Sequence, residues 1–387
     1  MKQVKLFALL TLLLAGVSCG SDNNEDTTPP TPPTTDPTTP TGELRVVTSS
    51  TTIQANGTDY CTVTVFCGDT DVTADADFFD MERNAIDHLF PNGRYTADKP
   101  GTLTFWVTYG TQNTYKSPTT ITAVEATLPD RLTDPQPEST NFTRKCLVLD
   151  FTGTGCGYCP YMVDLLETLE ADPEYAPMFI VAAAHQFNTE DPMYLSQRID
   201  QALGVTGFPT IITDMRQSYD NYTLLSGLQR NIKTNYDRTA AKAGISAHSV
   251  INGNEVVARV SVKAAEDNTF RVGAMLLESG ISATQNVYSV QGVKLLHENA
   301  YYSTHKNAIR TLDCRVSSTN YTGHDLGKLN KGDVTDYIFT FQLKEEWVRE
   351  NCHLIFFVTA AEGKNYYVNN AVATKGLAAE LPFEYAK

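Results

Sequence analysis

The stretch Lys145–Tyr161, KCLVLDFTGTGCGYCPY, does most to limit how this chain can fold, because it joins a strand pattern to a Cys-x-x-C pair at a helix start. Cys146 to Phe151 is an apolar run broken only by Asp150, the pattern of a strand buried on both faces in a sheet with helices packed over it. Gly153 and Gly155 make the turn. From Pro160 the spacing becomes helical, with Met162, Leu165, Leu166 and Leu169 on one face and Pro173 just beyond the end. Both cysteines therefore stand at a helix N-terminus, where unpaired amides and the helix dipole favour negative charge and raise the thiolate fraction of a thiol. Cys156, nearer the loop, is the expected nucleophile and the more exposed sulfur. Cys159, one helical turn on, is the expected resolving thiol. Pro160 costs little here, since first-turn amides lack helical partners.

The stretch resembles the thioredoxin superfamily, and Leu203–Ile212, LGVTGFPTII, is similar to that family's segment carrying a cis-proline opposite the cysteine pair. The resemblance implies that Pro209 is that cis-proline and that the Phe208 backbone faces an incoming peptide. It also implies that Asp150 is the buried carboxylate that helps deprotonate the resolving cysteine. Three departures stand out: Gly155 and Thr152 each occupy a position where the family has tryptophan, and no lysine is placed to partner Asp150. The dipeptide Gly157-Tyr158 is similar to that of periplasmic disulfide isomerases. The wider layout has Phe142, Arg144 and Lys145 before the strand, DFTGTGCGYCP at the motif and a β-rich C-terminal region. Over roughly residues 130–375 it resembles the outer-membrane-protein-28-related lipoproteins of Bacteroidetes-type bacteria. That likeness implies a location and an architecture more than a substrate.

The N-terminus reads as an export signal. Lys2 and Lys5 precede the apolar run Leu6–Ala15, and residues 1–18 form a signal peptide that ends just before Cys19. Gly16-Val17-Ser18-Cys19 is a loose lipoprotein box whose cysteine would be acylated; the other reading is an ordinary signal peptide cleaved near Ser18. The apolar run is too short to stay as a spanning helix. Residues 19–42 then hold a Thr/Pro-rich segment with almost no apolar residue, a semi-rigid spacer in extended polyproline geometry. Together these place the protein beyond the inner membrane, as an outer-membrane lipoprotein on the periplasmic face or the cell surface.

Residues 43–127 alternate in short strands broken by Asn56-Gly57, Gly68-Asp69 and Asn92-Gly93, as an immunoglobulin-like β-sandwich would. Cys61 and Cys67 share one strand face with sulfurs about 20 Å apart, too far to pair with each other. Residues 128–141 carry three prolines and read as a linker. Residues 142–243 hold the thioredoxin-like α/β part, with a helix from about Met193 to Leu203 and a last one from about Leu225 to Ala243. Residues 244–387 return to alternation and predict an antiparallel β-sandwich packed on that part. His185 ends a strand, where it either tunes Cys156 or simply bonds a backbone carbonyl. Cys314 and Cys352 either pair or stay reduced.

A net charge of −15 excludes a nucleic-acid-binding role, which needs a basic face. His297, His305, His324 and His353 lack metal-ligand spacing, so no metal and no cofactor are expected. Two functions from different classes remain. One is a lipid-tethered thiol-disulfide oxidoreductase or isomerase using Cys156, Cys159 and Asp150, with Phe208 and Pro209 meeting disulfide- or thiol-containing protein partners. The other is a surface binding module for protein or glycan, with the Cys-x-x-C pair as a structural disulfide. Zinc held by the two cysteines is a third, and it needs two more ligands.

Overall fold

The strand Cys146–Thr152 is buried at all seven positions, as a run with apolar residues on both faces requires. Leu147, Leu149 and Phe151 point into one core, with Ala182, Ala184, Ile212, Met275, Leu277, Ile355 and Phe357. Cys146 and Val148 point into another, against Met162, Leu166, Leu169, Leu228 and Ile232 of two helices, Cys159–Glu170 and Leu225–Asp237. Asp150 falls on the helix side by the same alternation. This computed structural model describes Pro40 and residues 42–125 and 127–386. The signal peptide, Cys19 and nearly all of the Thr/Pro spacer lie outside the described residues.

The chain is β-rich and built from several sheets. Residues 44–124 make two sheets around one core. The first contains Leu44–Thr48 and Tyr60–Cys67, the second Thr52–Gln54, Asp77–Asp80, Gly101–Tyr109 and Thr119–Val124. Alternate residues Cys61, Val63, Val65 and Cys67 face inward onto Phe78, Phe90, Phe105 and Ile121.

The expected linker is clamped to the sheet behind it. Lys263, 2% exposed, donates to Asp134, to the Pro137 carbonyl and to the Tyr385 hydroxyl, while Arg131 and Arg259 share Asp336 and Arg259 also reaches the Pro129 carbonyl. Buried charge needs such pairing to be tolerated at all.

After the cysteine pair the elements run helix, strand Phe179–His185, a single turn Ile199–Ala202, strands Thr210–Thr213 and Gln217–Tyr219, then the Leu225–Asp237 helix. The helix expected from Met193 shrinks to that single turn because its backbone is bonded elsewhere. The Gln186 side chain donates to the Leu195 and Gln197 carbonyls, and the Leu195 amide donates to the His185 carbonyl. The last helix also ends earlier than expected, at Asp237, and a strand Ala243–Asn252 follows.

The C-terminal strands do not form a separate sandwich resting on the α/β part. One nine-stranded sheet runs through both: Gln217–Tyr219, Thr210–Thr213, Cys146–Thr152, Phe179–His185, Ala308–Asp313, Asn268–Glu278, Cys352–Glu362 and Asn365–Ala373, with His324–Leu329 also on Asn268–Glu278. The junction is a parallel bridge, Ala183 with Ala308. A second sheet of Ala243–Asn252, Glu255–Ala264, Val334–Gln342 and Ala379–Leu381 packs on the Asn268–Glu278 and Cys352–Glu362 strands through Val260, Val262, Val272, Phe339 and Phe356. Cys314 and Cys352 belong to different cores and are not bridged.

Candidate functional site

The turn after the Cys146–Thr152 strand brings Cys156 and Cys159 together as a disulfide, with Cα atoms 5.4 Å apart. Cys159 opens its helix and Pro160 takes the next position. The amide of Cys156 bonds the Gly153 carbonyl and that of Cys159 bonds the Cys156 carbonyl, which coils the loop into the first turn. Contrary to expectation, Cys156 is no more exposed than its partner: the residues are 2% and 1% accessible. The peptide bond Phe208–Pro209 is cis. Thr210 pairs with Phe151, so Pro209 stands one register position further on, at the strand end that leads to the cysteines.

Two aromatic residues that sequence reasoning passed over close the loop. A Cβ on Gly153 or Gly155 would stand 2.6 or 2.9 Å from Phe187, whose ring meets Phe208 edge-on at 5.7 Å. Gly155 therefore lacks a side chain because an aromatic from another segment fills that space. A Cβ on Gly157 would likewise collide with the ring of Tyr288.

Asp150 lies on the helix side of its strand and is fully buried. Burial pushes its carboxyl up to about 7, and its Oδ1 has no hydrogen-bond partner among the described residues. Asp150, Cys159, His185 and His305 line one cavity of about 80 Å³ between the motif helix and the sheet, room for a few waters. Lys306 lines it too, but its ammonium is bound to Glu167 at 2.7 Å rather than to Asp150.

His185 stands beside Thr152 in the parallel register, and among the described residues its ring bonds a carboxylate and not a carbonyl. Its Nδ1 donates to Asp191 at 2.9 Å, both groups being buried. Burial works to raise the Asp191 carboxyl, yet the His185 bond and charge, with the amides of Thr154 and Met193, hold it down at about 2. Asp191 thus fastens the motif loop at Thr154 to the strand end at His185. His305, expected among scattered surface or loop histidines, is buried, with its ring 5.2 Å from that of His185. Burial first, then His185, pushes its imidazole below the usual value, and its Nε2 donates to the Ala283 carbonyl at 3.0 Å.

Among the described residues one group of potential metal ligands converges: Asp164, Glu167 and His297, with ligand atoms within 4.8 Å of one another. Its oxygens already have donors. Asp164 accepts from the Tyr302 hydroxyl and the Leu296 amide, and Glu167 from Lys306 and Tyr301. These bonds fix the 296–306 segment to the motif helix.

No family model matches the chain, and no curated protein does. Among solved structures, HBP35 of Porphyromonas gingivalis is 17% identical with a TM-score of 0.49, over 64% of this chain and 79% of that one. A domain of the outer membrane lipoprotein Omp28 from Porphyromonas gingivalis is 16% identical with a TM-score of 0.22, over 38% of this chain and 93% of that one. Likenesses this distant carry no weight for function, which has to be argued from the residues around the disulfide.

Proposed function

We propose that this chain is a cell-envelope lipoprotein whose Cys156–Cys159 pair exchanges with disulfides or thiols of other proteins, in a part of the chain folded like thioredoxin. The observation that carries the reading is the shared cavity. A fully buried carboxyl, Asp150, pushed up to about 7, faces the same space as Cys159, the sulfur that must lose a proton for resolution.

In the reducing direction, thiolate Cys156 attacks a substrate disulfide, a mixed disulfide forms, and one substrate thiolate leaves. Cys159 passes its proton to the Asp150 carboxylate and attacks Cys156, which closes the observed bond and releases the second thiolate. Two electrons pass to the substrate, and the Asp150 proton leaves by exchange with solvent. Phe208 and Pro209 form the substrate-facing edge, and Phe187 with Phe208 gives it an aromatic border.

Envelope location rests on the signal-like segment and Cys19, and Cys19→Ala should move the protein from a membrane fraction to a soluble one.

A second reading, a structural disulfide in a binding module, draws on one observation: both cysteines are only 1–2% exposed. Trapping separates the two. Cys159→Ala should accumulate mixed disulfides through Cys156, and Cys156→Ala should not. Absence of any adduct in Cys159→Ala would defeat the exchange reading.

A further inference from the structure

We infer that residues 285–290 are an autoinhibitory strap, a length of the chain's own backbone bonded along the Gly153–Tyr161 loop that carries both cysteines, which must lift before exchange begins. The inference rests on the exchange reading and adds its regulation.

The strap is bound as an extended peptide would be. The amide of Asn286 donates to the Thr154 carbonyl and that of Tyr288 to the Gly157 carbonyl, both at 2.8 Å. The Val290 amide donates to the Tyr161 hydroxyl at 3.0 Å, and that hydroxyl donates back to the Tyr288 carbonyl at 3.0 Å. Alternate amides thus face the motif, the spacing of an extended segment. Gln285 turns its side-chain amide onto the carbonyls of Cys156 and Gly153, at 2.9 and 3.3 Å.

The motif is shaped for this occupant. Gly157 has no room for a Cβ beneath the Tyr288 ring, and Tyr158 meets that ring edge-on at 5.4 Å. A glycine between the two cysteines is therefore a seat for residue 288. Tyr288 is nonetheless 51% exposed.

The strap has firm ends and a loose middle. Upstream, Ile281–Ser282 pairs with Thr304–His305, and Ala283 is bonded to Ser303 and His305. Downstream, the Leu296 amide is held by the buried carboxylate of Asp164. Between Val290 and Leu296 the chain makes a local bridge, Val290 with Val293, around Gly292 at φ +79, and no other backbone bond among the described residues. Lifting 285–290 breaks the bonds to the motif and leaves both anchors in place.

Access to the disulfide tests this without any assumption about the substrate. In the full chain, the rate of disulfide reduction by dithiothreitol should rise at least tenfold in Gln285→Ala/Tyr288→Ala. It should stay at the wild-type value in Tyr288→Phe, which keeps the ring. In unaltered protein, hydrogen exchange at the Asn286 and Tyr288 amides should be at least a hundredfold faster than at the core strand amides of Leu276 and Phe356, a comparison that holds even if the double variant fails to fold. Unchanged reduction in the folded double variant, or exchange at 286 and 288 as slow as in the core, overturns the strap. Faster reduction in the double variant, with no mixed disulfide in Cys159→Ala carrying the same two substitutions, leaves 285–290 as a cover over the disulfide and removes the exchange reading instead.

Discussion

Asp150→Asn should make the protein more stable at alkaline pH and not at acid pH. In the unfolded chain the Asp150 carboxyl loses its proton near its ordinary 3.8, whereas in the fold burial keeps it protonated to about 7. Between those values the folded state binds more protons, so stability is fully present below the unfolded value and drains away as pH rises through the folded one. A difference of about three pH units at about 1.4 kcal/mol each comes to about 4 kcal/mol, complete by pH 8. Asparagine does not titrate. Any fixed cost of its amide in that site is the same at every pH, so the diagnostic is the slope of the wild-type-to-variant difference. Other raised acids, Asp59 at about 6 among them, occur in both proteins and cancel. Urea unfolding of the oxidised proteins from pH 4 to pH 8 should show the variant gaining about 4 kcal/mol relative to wild type. A difference constant to within about 1 kcal/mol over that range would refute the buried, uncompensated carboxyl.

Protonating His305 places a charge beside His185 in a buried site, so the stability it confers is present above the ordinary histidine value and is lost as pH falls toward its depressed folded value. His305→Gln keeps a donor for the Ala283 carbonyl and should flatten the fall in melting temperature between pH 7.5 and pH 5 by a few degrees; an unchanged profile would count against it. Asp134→Ala leaves the Lys263 ammonium buried without its carboxylate and should cost about 3 kcal/mol by urea midpoint, while a loss under about 0.5 kcal/mol would mean the 128–141 segment is not clamped as described.

The motif was legible because its determinants are local. An apolar run with one acid, two glycines and a helical stripe specify strand, turn and helix within residues 145–170, and the burial of Cys146–Thr152 follows from the run itself. The Phe208–Pro209 cis bond stands where the family resemblance puts it. What lay hidden depends on partners far along the chain. Gly155 and Gly157 read as a departure and an isomerase-like dipeptide, yet their bareness answers to Phe187 and Tyr288. His185 read as a strand end, and nothing in the sequence marks Asp191, six residues on, as the partner of its ring. The strap carries neither strand nor helix periodicity, so no pattern marked it. The continuity of the large sheet hangs on one bridge, Ala183 with Ala308, which no local spacing encodes.

The reduction potential of the Cys156–Cys159 pair in the full chain tests the central claim most directly. A pair that exchanges with protein substrates should equilibrate with glutathione or thioredoxin buffers between about −270 and −120 mV. A potential below about −300 mV would mark a structural disulfide and contradict the account.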